Sequence, residues 1–174
     1  MVNSQLFTAF AWRSIDGGRT WSHSWLPSVG TGISSVSGLS CADALQCVGV
    51  GIETRGTNGN RTGGFIVTTS DGGATWTVQT SPATAAMFLG SVSCATTQDC
   101  WAGGLDTDQK TGTMIATQDG GKSWSPVQIP PTSGVGSLDC LPDGSCYAIS
   151  SQAANPVHSP ASGSQDVLTN HPRN

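Results

Sequence analysis

The chain has 174 residues, enough for one domain with a sizeable core, and only 10% of them are charged, against roughly 25% in an ordinary soluble domain. Gly, Ser and Thr fill 66 of the 174 positions, which excludes a protein of long surface helices and suits short strands joined by tight turns. A net charge of −4 with no basic run excludes a nucleic-acid footprint, and no apolar stretch approaches the ~18 residues of a membrane span.

From the N-terminus, residues 1–13 lack the basic region and small-residue cleavage site of a signal peptide. Residues 6–12 read as a strand that enters the turn Ser14-Ile15-Asp16-Gly17-Gly18-Arg19-Thr20-Trp21, and residues 21–26 as the strand that leaves it. Cys41 and Cys47 follow, at the ends of a C-x5-C turn between two more strands. The pattern then returns. Thr69-Ser70-Asp71-Gly72-Gly73-Ala74-Thr75-Trp76 precedes Cys94 and Cys100, and Thr117-Gln118-Asp119-Gly120-Gly121-Lys122-Ser123-Trp124 precedes Cys140 and Cys146. The aspartates stand 55 and 48 residues apart and the cysteine pairs 53 and 46. Two independent motifs keep one phase, the mark of an internal repeat.

One period holds four strands, A to D, with the cysteine turn between A and B and the Asp-Gly-Gly turn between C and D. An antiparallel unit of about 45–50 residues is the size of a propeller blade. The predicted fold is all-β: a partial β-propeller of about three four-stranded antiparallel blades, an incomplete ring. Residues 1–151 hold the blades, and the Pro-, Ser- and Asn-rich residues 152–174 read as a disordered tail. Ser164-Gln165-Asp166 falls where a fourth turn is due, but no Gly-Gly or Trp follows.

The even cysteine count, the tight spacing and the lack of a nearby His favour disulfides Cys41–Cys47, Cys94–Cys100 and Cys140–Cys146, with free thiols or metal as the alternative. Each bridge would close a short loop and contribute roughly 2.4 kcal/mol. Bridges imply an oxidising compartment, hence a secreted or cell-surface protein. With no leader in these residues, an upstream start or a fragment is expected.

The S/T-x-D-G-G-x-T/S-W units resemble Asp-box (BNR) repeats of sialidase-like β-propellers, which also occur in sortilin-type receptors and photosystem II assembly factors. Ser93-Cys94-Ala95-Thr96-Thr97-Gln98-Asp99-Cys100-Trp101-Ala102-Gly103 is similar to repeats in secreted actinobacterial propellers. The resemblance covers residues 6–151 and is specific for the blade, not for an activity. Asp16, Asp71 and Asp119 are expected to accept hydrogen bonds within their own turns, while Gly18, Gly73 and Gly121 supply positive φ. Trp21, Trp76 and Trp124 are expected to bury their rings against a neighbouring strand or blade.

The resemblance implies a sialidase chemistry of three arginines, a Tyr-Glu nucleophile pair and an Asp acid/base, and the residues do not match it. The single tyrosine, Tyr147, occupies a repeat position that holds Val48 or Trp101 in the other units, and the single glutamate is Glu53. No catalytic residue, cofactor or metal is assigned. Asp106–Gly112 departs from a calcium loop, because Lys110 stands where an oxygen ligand belongs. The candidate ligand-binding residues are those of the B–C loops: Glu53, Arg55, Asn58, Asn60 and Arg61 in one, and Asp106, Asp108 and Lys110 in the next.

The expected function is a non-catalytic extracellular binding or scaffold module, part of a larger propeller, with a glycan or a protein as its partner. The alternatives are a sialidase-like exo-glycosidase fragment and, from the resemblance, an assembly factor of the photosystem II type. Three blades cannot close. The chain is therefore expected either to pair head to tail, strands C and D of one copy completing A and B of another in a six-bladed ring, or to stand as a truncated monomer.

Overall fold

In the computed structural model, residues 9–28, 34–55, 60–79, 84–85, 87–150 and 166–170 are described, and they contain thirteen strands and no α-helix. β1 (Phe10–Arg13) and β2 (Ser22–Trp25) form a two-stranded sheet. β3 (Ser34–Cys41), β4 (Cys47–Arg55), β5 (Asn60–Thr69) and β6 (Thr77–Gln79) form a four-stranded one. A second four-stranded sheet holds β7 (Met87–Cys94), β8 (Cys100–Asp106), β9 (Gly112–Thr117) and β10 (Ser125–Pro126). The last sheet is β11 (Val135–Cys140), β12 (Cys146–Ser150) and β13 (Asp166–Asn170). Neighbours are consecutive and antiparallel throughout. The chain is a partial β-propeller: a C–D half-blade, two whole blades and an A–B–C blade.

The blades pack face to face, so a middle strand is covered on both sides. This is why β5 and β9 carry unbroken apolar runs instead of an alternating pattern. In β9, Ile115 joins Trp124, Leu89, Val48 and Val50 in the cluster between the two whole blades. Its neighbour Met114 packs with Val135, Leu138 and Ala148 of the last blade. Phe65 and Val67 meet Leu26, Ala9 and Ala11 of the half-blade. Each such aliphatic side chain, once fully buried, contributes roughly 1.5–3 kcal/mol.

Each first strand has a register shift five to three residues before its cysteine, at Val36/Gly38, Leu89/Ser91 and Val135/Ser137. Opposite the shift, the backbone crowds Gly51 and Gly104, where a Cβ would overlap the carbonyl oxygens of Ser35 and Phe88. The cysteines of each pair are register partners and are bonded as Cys41–Cys47, Cys94–Cys100 and Cys140–Cys146.

Three sequence expectations change. The first B–C loop is shorter than expected, because Arg55 and Asn60 are register partners at the strand ends. Strand β13 lies inside the segment read as a disordered tail, and Asp166 opens that strand and does not begin a turn. β13 also occupies the edge of β12 that the six-bladed ring reserves for β1 of another copy.

Candidate functional site

The meander sends A–B and C–D turns to one end of each blade and B–C and D–A connections to the other. At the turn end, the recurring Ser/Thr, Asp and Thr/Ser positions of the Asp-Gly-Gly unit bond to one another in the same way in all three copies. Ser14, Thr69 and Thr117 each donate a hydroxyl to the aspartate Oδ1 at 2.8, 2.8 and 2.7 Å. The same hydroxyls accept the amides of Gly18, Gly73 and Gly121 at 2.8, 2.9 and 3.0 Å. Thr20, Thr75 and Ser123 close the far side, each giving its amide to Oδ1 at 2.9 Å and its hydroxyl to Oδ2. Paired glycines with φ between 70° and 88° carry the chain around each bend.

These bonds favour the charged carboxylates. The Thr20 hydroxyl foremost holds Asp16 down at about 2, and Thr75 does the same for Asp71. Asp119 is also held well below the ordinary carboxylate value, chiefly by the Ser123 hydroxyl. Carboxylates satisfied on both oxygens serve the turn and are poorly placed to transfer protons. Gly72 and Gly120 donate their amides to Leu45 and Gln98, tying each Asp-Gly-Gly turn to the cysteine loop of its own blade. The tryptophans differ. Trp124 is buried and Trp76 half-buried, whereas Trp21 is exposed because no described strand packs on its side.

One linkage between blades escaped the sequence reading. In both whole blades the serine before the first cysteine reaches the next blade: Ser40 Oγ accepts the amide of Cys94 at 3.0 Å, and Ser93 Oγ that of Cys140 at 2.8 Å. The recurring Ser-Cys dipeptide was its visible signal. The turn end also holds a cavity of about 320 Å³ between the two whole blades, lined by Gln46, Thr68, Thr75, Gln79, Gln98 and Lys122 among others. Polar residues from two different repeats build it, so no single stretch announces it.

At the loop end, Glu53 and Asp106 occupy equivalent rungs, opposite Ser34 and Met87, each seven residues before a cysteine. Residues 107–111 form a compact turn in which Gln109 takes a φ of 61°. Asp106 Oδ1 accepts the Lys110 and Thr111 amides at 3.1 and 3.3 Å, and Asp108 Oδ1 accepts the Lys110 amide at 3.0 Å. The Asp108 side chain, together with those amides, lowers the pKa of Asp106. The next D–A linker crosses beside this turn, where Gly112 donates to Thr132 O at 2.7 Å. Asp106, Asp108 and Lys110 thus share one hydrogen-bonded turn, with Glu53 on the matching rung of the preceding blade. Arg55, Asn60 and Arg61 are placed by backbone pairing alone, and Asn58 lies outside the described residues.

No family model matches the chain, and no curated protein sequence matches it. Among solved structures it is similar to YCF48 bound to D1 peptide, at 25% identity with a TM-score of 0.50, over 67% of this chain and 34% of that one. It is also similar to a protein of unknown function from Dyadobacter fermentans DSM 18053, at 17% identity with a TM-score of 0.55, over 83% of this chain and 51% of that one. The second likeness bears on the fold alone. The chain spans about a third and about half of these two chains.

Proposed function

We propose that the chain is a non-catalytic β-propeller module that holds an extended protein segment against its loop end, in an oxidising, extracellular setting. The observation that carries the reading is the likeness, at 25% identity, to a structure of YCF48 bound to a peptide. The loop end supports it chemically. Asp106 and Asp108 place two carboxylates on a turn fixed by its own amides, and preorganised groups lose little entropy on binding. Acidic groups at this end favour a segment that carries Lys or Arg. Three disulfides fit the compartment. The assembly-factor alternative calls for the same kind of contact with a different partner.

Selection of a random peptide library on the immobilised chain tests this. Basic peptides should be enriched, and Asp108→Ala should weaken the best of them by roughly tenfold, the cost of one charge-assisted contact. Failure to enrich any peptide would defeat the reading. So would binding that ignores Asp108→Ala and is abolished by Lys122→Ala in the turn-end cavity. A fluorogenic sialoside addresses catalysis: no turnover is expected, and turnover lost in Tyr147→Phe would overturn the non-catalytic assignment.

A further inference from the structure

The two ends of the blade stack expose apolar faces that the interior of the same stack always buries. Counting from the turn aspartate, Phe10 and Trp12 occupy the repeat positions of Phe65 and Val67. Phe65 and Val67 face the preceding half-blade and are 4% and 1% exposed; Phe10 and Trp12 are 44% and 56% exposed. They stand with His23 and Trp25 on one face of the β1–β2 sheet, in edge-to-face contacts with centroids 5.5–5.8 Å apart. Ala11 and Ser24, on the other face, are turned to the next blade, where Ser24 Oγ accepts the Trp76 indole N–H.

The opposite end repeats the situation in mirror sense. Counting from the second cysteine, Tyr147 and Ile149 occupy the positions of Val48 and Val50. Val48 and Val50 are buried between the two whole blades, whereas Tyr147 and Ile149 are 42% and 45% exposed. Asp139 is the register partner of Tyr147 and shares its face.

We propose that these two faces pair between copies of the chain: the Phe10–Trp12–His23–Trp25 face of one copy packs on the Tyr147–Ile149 face of a second. The repeat supports this occupant, because the interface between the two whole blades joins Val48 and Val50 of one blade to Ile115 of the next, and Ile115 holds the repeat position of Val67 and Trp12. Because β13 holds the edge of β12, the contact is face to face and does not add a strand to the last sheet. The interface is heterologous, so it closes when each copy turns the stack through half a circle.

Sedimentation equilibrium of the full chain tests the proposal, with Trp12→Glu and Ile149→Arg as variants. The wild type should weigh twice 17.7 kDa. Each variant, checked for its three disulfides and its circular dichroism, should associate at least about tenfold more weakly. An equimolar mixture of the two should dimerise again, because one intact face remains on each partner and only a head-to-tail contact can use both. A monomeric wild type, or an Ile149→Arg chain that dimerises normally, would overturn the proposal. So would a mixture that stays monomeric. Should either variant misfold, Trp12→Ser and Ile149→Ser carry the same test.

Discussion

At the scale of single residues, the turn aspartates and the crowded glycines make the sharpest demands. Asp71 is held at about 2 by groups that exist together only in the folded turn. A folded value below the ordinary carboxylate value adds stability that is complete above about pH 4 and is lost as pH falls towards about 2. Urea midpoints of the wild type should therefore drop across that window, and Asp71→Asn should show a flatter acid dependence with a lower midpoint at neutral pH. Equal slopes would mean that the carboxylate is not engaged. Gly104 faces the Phe88 carbonyl at the strand irregularity, so Gly104→Ala should cost about 1–3 kcal/mol. Gly90→Ala, whose Cβ would meet only the carbonyl oxygens of Gly103 and Val135 at an unstrained 4.0 Å, should stay within about 0.5 kcal/mol. The aspartate role was legible, because every member of the Ser/Thr-x-Asp-Gly-Gly-x-Thr/Ser unit recurs. The Gly104 constraint was not, since it arises from a register shift in the partner strand.

At the scale of elements, the hairpins closed by cysteines and the serine links between blades divide the work. The Cys94→Ser/Cys100→Ser double variant should lose about 2.4 kcal/mol, the chain-entropy cost of freeing so short a loop, with the other two bridges intact on peptide mapping. Ser93→Ala should cost about 1–3 kcal/mol, because it strands the buried Cys140 amide without the acceptor that joins two blades. A stability change near zero in Ser93→Ala would remove that link from the account. The strand order was readable from two motifs in constant phase. The extent of the last blade was not: Asp166–Asn170 carries neither turn motif nor long apolar run, and it becomes a strand by pairing with β12.

At the scale of the whole molecule, the stack separates what holds the fold from what is free to bind. The turn end spends its carboxylates, hydroxyls and glycines on closing turns, while the loop end has no such repeated requirement and varies from blade to blade. The sequence pointed to Glu53, Asp106, Asp108 and Lys110 among its candidates because charge outside the turn motifs gathers in the B–C loops, and the structure keeps Asp106, Asp108 and Lys110 on one turn. The cavity beside Lys122 was invisible in the sequence because it lies between repeats, and it offers the competing location. Amide hydrogen exchange with and without the tightest selected peptide decides between the two ends. The loop-end account expects slowed exchange at Lys110 and Thr111, with Thr75 and Gly120 unchanged; slowed exchange at Thr75 and Gly120 with Lys110 and Thr111 unchanged would contradict it.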